Sequence, residues 1–310
     1  MPEHPAMPDY VNIRVEHDTP VSWIVLNRPD KANALSNELL DEFSDALARL
    51  KHTGEPVIAI RGEGKGFSAG YDLGQVAPTR AADPVADRTR LQRNIDRYLA
   101  IWDHPKPVIA AIHGYCVAGA TQLATFTDIT IVTENAKIAE VTIPIGAGYV
   151  SPVWATLVGP KRAKEFAFVP GNSIDGRTAV EWGWANHAVP ESELVARVAS
   201  LARRIAQVPP NLLTIKKVSI NRAMEAMGTR NALGAVADAD ALAHMTPEVA
   251  ALRARIAEEG LKSVIESFRV APTSDLSAPT PTIPSAGNET VDGSVNMTVD
   301  WREPWIRIDT

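Results

Sequence analysis

The sequence has little of what would settle a function class at a glance. It holds one cysteine, Cys116, in 310 residues, which excludes an intramolecular disulfide and a cysteine-based metal cluster. No apolar run approaches the roughly 18 residues that a membrane-spanning helix needs. Basic residues are not in excess: 31 Lys and Arg face 37 Asp and Glu, a net charge of -6. Nothing in that balance calls for nucleic acid as a partner. No grouping of His, Cys, Asp and Glu has metal-ligand spacing, so no metal is expected. Residues 1–9 are polar and contain proline, without the apolar core of a signal peptide. Together these absences lead to the expectation of a soluble, cytoplasmic protein of a reducing compartment, without a membrane partner.

What is present is apolar content, 45% of the chain, enough for one large core with or without an appendage. Val11, Ile13 and Val15 alternate with polar residues as a half-buried strand does. Asp18-Thr-Pro20 turns the chain, and Val21–Leu26 makes the second strand of a hairpin. Asn27–Leu35 reads as a loop, and Ser36 is placed to cap a helix carrying Leu39, Leu40, Phe43, Ala46, Leu47 and Leu50 at helical spacing. Val57–Ile60 is a short buried strand and Leu91–Trp102 a helix. Thr79–Asp87, with its Pro and Ala-Ala-Asp, reads as a mobile connection. Val108–His113 is again a strand, followed by a small-residue loop, Gly114–Ala120, a helix, and a strand over Asp128–Thr133. Strand and helix alternate, which predicts an α/β core with parallel crossovers.

Downstream, Ala163–Val169, Arg177–Gly183 and Glu191–Gln207 read as helices, and Pro209-Pro210 stops the last of them. Helical pattern then continues to about Arg269 and predicts helices that pack over the core or against a neighbouring subunit. From Ala271 the composition turns to Pro, Ser, Thr, Gly and Asp, too polar to fold alone. The expected organisation is therefore a flexible 1–9, a core over 10–205, a helical region over 206–270, and a tail over 271–310.

Two glycine-rich loops follow buried strands: residues 62–72 and 113–120. If they meet, each can offer a backbone N–H to one carbonyl oxygen, and charge building there would be stabilised by preorganised donors. One such donor is typically worth about 2.7–4 kcal/mol.

At these residues the chain resembles the enoyl-CoA hydratase/isomerase family, the crotonase superfamily. The resemblance rests on Asn27-Arg-Pro with Asn33-Ala-Leu35, Gly66-Phe-Ser-Ala-Gly-Tyr-Asp-Leu73 and Lys106-Pro-Val-Ile-Ala-Ala-Ile-His-Gly114. It continues through Ala118-Gly-Ala120, Ala124, Asp128, Gly146, Val158-Gly-Pro-Lys-Arg-Ala163, Ala179-Val-Glu-Trp-Gly183 and Val189-Pro190, spanning about Val11 to Pro272. It implies an α/β fold, a spiral of ββα repeats with a C-terminal helical region that trimerises, giving a homotrimer or hexamer. It implies an acyl-CoA thioester as substrate, with coenzyme A arriving as part of that substrate and no separate cofactor, and a place in fatty acid metabolism. It assigns the oxyanion N–H donors to Tyr71 and Gly119. It puts Ala69, Gly70, Asp72 and Ala118 around the substrate, although Asp72 fits a cap for the next helix better.

The chain departs from the family at the chemistry. Family hydratases activate water with two glutamates. The first of those positions, three residues after Gly119, is Gln122, and the second, twenty residues further on, is Thr142. Neither side chain titrates usefully. General acid–base catalysis contributes about 10²–10⁴-fold, so ordinary hydratase chemistry should be largely lost while a backbone oxyanion hole survives.

Other groups are candidates to stand in. Glu140 faces the same way as Thr142 if the segment is extended, though a surface carboxylate is the plainer reading. Asp96 belongs either to the acyl pocket or to a solvated helix face. The phenols of Tyr71 and Tyr149 serve as weak acids or as space-fillers, and Gln122 as a hydrogen-bonding group for substrate or water. His113 reads as a satisfied core group and Cys116 as a small buried apolar residue. Three functional readings follow: an enzyme of this family with a non-standard lyase or isomerase reaction, a catalytically silent acyl-CoA-binding protein, and a serine hydrolase using Ser68 in Gly66-Phe-Ser-Ala-Gly70. The last needs Ser68 at a sharp strand-to-helix turn.

Overall fold

Alternation in the first 26 residues produces the predicted hairpin: β1 (Ile13–Asp18) runs antiparallel to β2 (Val21–Leu26). The computed structural model describes residues 7–72, 83–139, 143–146 and 151–268. β1 begins two residues later than the alternation suggests because the Glu42 carboxylate takes the N–H groups of Val11, Asn12 and Ile13. Helix α1 (Asn37–Leu50) starts at Ser36, whose hydroxyl accepts from Leu39 N. It buries the six apolar residues predicted from their spacing.

β3 (Val57–Gly62) pairs parallel to β2, and β4 (Val108–Ile112) parallel to β3. Between them runs α2 (Pro84–Trp102), longer at its N-terminus than expected. Asp83 accepts from Val85 N and Ala86 N, and Pro84 stands at the first helical position. Asp-Pro is a helix start, so residues 83–87 are the cap and first turn rather than a mobile connection. The rest of that predicted connection, 79–82, lies outside the described residues.

The loop expected over Gly114–Ala120 contains a strand, β5 (Tyr115–Val117), before α3 (Gly119–Thr125). After β6 (Ile129–Thr133), β7 (Lys137–Ala139) pairs parallel to β5 in a sheet of its own. Helices α4 (Ser151–Val158), α5 (Pro160–Phe168) and α6 (Gly176–Trp182) lead to β8 (His187–Val189), which joins the main sheet beside β6. The main sheet has the order β1-β2-β3-β4-β6-β8.

Both sheet faces are covered, as a parallel sheet requires. Ile24, Leu26, Ile58, Ile60, Val108 and Ala110 face α1 and α2. The alternate residues Val21, Trp23, Val25, Val57, Ala59, Ile109 and Ala111 meet Leu194, Val198 and Ala202 of α7 (Leu194–Ile205).

The C-terminal helices are α8 (Pro210–Ala226), α9 (Thr229–Ala243), α10 (Pro247–Glu259) and α11 (Leu261–Ser267). α9 lies along α2 and touches α4. One junction is a buried ionic cluster beneath α8. Lys217 Nζ donates to Asp128 Oδ2 at 2.7 Å and to the carbonyls of Ile101 and Lys106. Asp128 Oδ2 also accepts from Val108 N at 2.7 Å. Burial pulls the Lys217 ammonium below and the Asp128 carboxyl above their ordinary values, each held back by the other's charge. Nearby, Lys106 Nζ is enclosed by Leu50 O, Thr53 O and Thr53 Oγ1, and burial takes its pKa down to about 8. His104 Nε2 meets Leu47 O at 3.1 Å while Nδ1 accepts from Lys106 N at 3.1 Å, and burial pushes its pKa down to about 4.

The predicted tail over 271–310 lies outside the described residues. Among the described residues no helix is long and apolar enough to cross a membrane.

Candidate active site

The stretch after β3 is stapled on both sides. Asn33, fully buried at φ 53°, accepts from Arg28 N and donates to the carbonyls of Glu63 and Gly66. Leu35 N donates to Gly70 O, and Asp72 N to Leu35 O. On the other flank Phe67 N donates to His113 O, Ser68 N to Tyr115 O, and Val117 N to Ser68 O, at 3.0–3.1 Å. The two glycine-rich loops, whose meeting was a hypothesis from the sequence, therefore lie side by side.

They touch at Gly114, where a Cβ would meet Lys65 O at 2.0 Å, and again at Gly70 and Gly119. Gly70 has φ +90°, and a Cβ there would stand 2.6 Å from Val117 O and 3.1 Å from Gly119 N. Only glycine suits both the conformation and the space. Gly119 needs no unusual φ; a Cβ on it would meet the Tyr71 ring at 2.8 Å. Its predecessor Ala118 has φ 49° and ψ -119°, rare for a residue with a side chain. Ala118 N donates to Ala139 O at 2.7 Å, and the Ala118 carbonyl accepts from Thr121 N and Gln122 N. Across a planar trans peptide the Gly119 N–H must point opposite to that carbonyl, away from α3. As the first helical residue, it has no intrahelical acceptor.

Side chains complete the site. The Tyr71 hydroxyl lies 2.5 Å from that of Tyr98 and donates to Gln122 Oε1 at 2.9 Å. Tyr98 OH also stands 3.4 Å from Gly119 O. Gln122, 6% exposed, is one turn of α3 beyond Gly119. Tyr71, Tyr98 and Gln122 thus form a neutral polar cluster against the two loops.

Of the residues expected at a site, the structure brings together Gly70, Tyr71, Ala118, Gly119 and Gln122. Ala69 is exposed beside them, its N–H on Ala32 O. Asp72 pairs with Arg28 at 2.9 Å, so its carboxylate serves the loop staple. Glu140, Thr142 and Tyr149 lie outside the described residues. Asp96 is exposed and accepts from Gln92, which fits a solvated helix face. Cys116 is buried, and burial raises its thiol well above its usual range.

One expectation is corrected in part, and the disfavoured serine-hydrolase reading is excluded. His113 is only half-buried; its Nε2 reaches the Gly64 carbonyl at 2.9 Å, tying the first loop instead of filling the core. Ser68 is no nucleophile elbow: it is fully buried in an extended stretch paired with Cys116, its hydroxyl donating to Asn33 O at 2.7 Å. Ser68 Oγ also accepts from Gly70 N. A hydroxyl so engaged, without an adjacent base, is a loop brace.

Tyr98 was not foreseen. Its spacing with Leu91, Ile95 and Trp102 is that of an ordinary buried stripe, and only the general need of a buried phenol for a partner hints at more. Among the described residues no group of three or more His, Cys, Asp and Glu side chains is placed to hold a metal ion.

Comparison with known proteins fits this geometry. The enoyl-CoA hydratase/isomerase family profile matches residues 16–264. A mitochondrial Delta(3,5)-Delta(2,4)-dienoyl-CoA isomerase of Dictyostelium discoideum is 30% identical over 233 residues, 69% of this chain and 78% of that protein. The 4-chlorobenzoyl coenzyme A dehalogenase-1 of an Arthrobacter species is 31% identical over 222 residues, covering 66% of this chain and 76% of the relative. Among solved structures, an enoyl-CoA hydratase/isomerase from Xanthobacter autotrophicus superposes with a TM-score of 0.79 at 34% identity, covering 84% of this chain and 98% of its own. A chain from Novosphingobium aromaticivorans, described provisionally in the same terms, gives 0.81 at 50% identity, covering 84% and 96%.

Proposed function

The chain belongs to the enoyl-CoA hydratase/isomerase family, with its crotonase fold, and from that premise we propose that it binds an acyl-CoA thioester and stabilises the thioester enolate with the backbone N–H groups of Tyr71 and Gly119. The observation that carries this is the apposition of Gly70 and Gly119, 3.1 Å from Gly119 N to the nearest point a Cβ on Gly70 would occupy. The parallel bridge to Leu35 uses Gly70 O and Asp72 N, which turns the N–H of Tyr71 away from Leu35. Coenzyme A appears in the names of the relatives with different reactions, an isomerase and a dehalogenase, which supports the thioester as the shared element.

The reaction is non-standard. Gln122 occupies a place where the resemblance puts a general base, and its Oε1 is already taken by Tyr71. Isomerisation, C–C cleavage and decarboxylation are compatible with an enolate held by backbone donors, and thioester hydrolysis with a tetrahedral oxyanion held by the same donors. A second reading, an acyl-CoA binder without turnover, is favoured by the neutrality of the Tyr71–Tyr98–Gln122 cluster. The helical region supports self-association as a trimer or hexamer through the exposed Leu212, Ile215 and Val218 of α8; a monomeric mass in sedimentation would exclude it.

The test is to mix the protein with crotonyl-CoA, following binding by calorimetry and hydration by loss of the conjugated thioester absorbance. We expect binding without rapid hydration. Gly119→Ala, which drives a methyl into the Tyr71 ring, should lower affinity and any turnover by on the order of 10²-fold. Rapid hydration by the unaltered protein would refute the reading of Gln122 and Thr142; absence of binding would refute the thioester.

A further inference from the structure

Two phenols meet beside the place assigned to the thioester. The hydroxyls of Tyr71 and Tyr98 lie 2.5 Å apart, and either can donate to the other. They come from unlike elements, Tyr71 from the first loop and Tyr98 from α2, where it is 1% exposed. The Tyr71 ring lies against the Gly119 backbone, 2.8 Å from where a Cβ on that glycine would stand. Its hydroxyl is 2.9 Å from Gln122 Oε1, one turn of α3 further on. The Tyr71 phenol thus stands against the residue that occupies the place of a glutamate base in the family the chain belongs to.

A lone phenol is a poor proton carrier near neutral pH, because its ordinary pKa is about 10. A pair at hydrogen-bond distance behaves differently. When one phenol gives up its proton, the other keeps its own and donates to the oxyanion so formed, and a hydrogen bond to an ionised acceptor is roughly twice as strong as a neutral one. This holds whichever phenol donates at rest, and the charge belongs to the pair rather than to one residue. Gln122 suits such a pair. Its amide offers an acceptor to the neutral phenol through Oε1 and, turned over, a donor to the phenolate through Nε2. A glutamate at 122 would set a second negative charge against the phenolate. Asp72, next to Tyr71 in the loop, is paired with Arg28 at 2.9 Å.

We infer that the Tyr71 hydroxyl is the acid–base group serving the thioester Cα, and that Tyr98 is a positioning residue that holds the Tyr71 phenolate by hydrogen bonding. This rests on the reading of the site as an acyl-thioester site. In the forward step the electron pair of the enolate takes the Tyr71 proton at Cα and the thioester carbonyl re-forms. Tyr71 is left as a phenolate, and water returns its proton. In reverse the phenolate removes a proton from Cα, and the C–H electron pair moves into the enolate, whose oxygen is held by the N–H groups of Tyr71 and Gly119. Such a pair protonates carbon but activates no water at Cβ. The site therefore favours thioesters that release an enolate, by decarboxylation, C–C cleavage or isomerisation, over those that take up water.

The experiment incubates the full chain in D2O with 3-butenoyl-CoA, whose Cα hydrogens are acidified by both the thioester and the double bond. Deuterium at Cα is followed by mass spectrometry, with binding by calorimetry and thermal unfolding measured alongside. The unaltered protein is expected to exchange these hydrogens faster than buffer, at a rate that rises with pH as the pair ionises. Tyr71→Phe should lower the exchange by about 10²–10⁴-fold, the usual contribution of a general acid or base. Tyr98→Phe should lower it about tenfold and move the rising limb of the pH profile upward, which loss of mere packing would not do. If Tyr71→Phe does not fold, the limb in Tyr98→Phe decides alone. Thioester binding without exchange, exchange retained in folded Tyr71→Phe, or an unmoved limb in Tyr98→Phe overturns the inference. If the folded protein binds neither 3-butenoyl-CoA nor coenzyme A, the thioester reading itself falls and takes this inference with it.

Discussion

Two buried polar clusters adjoin α2's C-terminal half, one through the Tyr98 side chain and one through the Ile101 carbonyl, and they differ in kind. Beneath α8, Lys217 has three acceptors, Asp128 Oδ2 two donors, and Lys106 three acceptors. Between the glycine-rich loops the Tyr71–Tyr98–Gln122 cluster is joined through hydroxyls and an amide, with no ion pair among its side chains. The first cluster contains the more shifted titrations, yet it is a joint. Perturbed titration does not by itself mark a site.

The sharpest way to break this comparison is a pair of substitutions. Lys217→Met strands the Asp128 charge in the interior and should destabilise the fold by about 3–5 kcal/mol in urea unfolding. Gln122→Leu should change stability by less than about 1 kcal/mol, because hydroxyls rotate and Tyr71 can turn its proton to Tyr98. Comparable losses for the two would show that both clusters are joints.

A smaller effect concerns pH. His104 is neutral in the fold with a pKa of about 4, whereas an unfolded histidine titrates near 6.5. Between those values the unfolded chain binds a proton that the folded chain does not, so stability falls as pH drops from about 6.5 towards 4, by roughly 3 kcal/mol at the lower end. His104→Gln should flatten that part of the stability-against-pH curve. An unchanged slope would place the titration elsewhere.

Much of this was legible in the sequence. The strand read at Val21–Leu26 and the spacing from Leu39 to Leu50 are buried, because a strand covered on both faces and a capped amphipathic helix leave strong patterns. The meeting of the two loops was readable from their small residues. Less legible was β8: three residues, His187–Val189, become a strand only because β6 offers an edge. Lys217 carries no local mark, since nothing near it in the sequence shows that Asp128, 89 positions earlier, waits for it. Tyr98 hid in an apolar stripe whose spacing says "buried" but not "beside the loops". The start of α2 was a signal passed over, Asp83-Pro84 being a cap and a first helical residue.

Ala118 carries a consequence beyond its neighbourhood. At φ 49° and ψ -119° it holds a shape that would cost a free alanine on the order of 1–3 kcal/mol. A glycine would relax there, and its peptide plane would swing through a wider arc. The methyl narrows that arc, so the bearing of the next amide is settled during folding, before any ligand arrives. A small local misfit, on this view, is what keeps the donor on station.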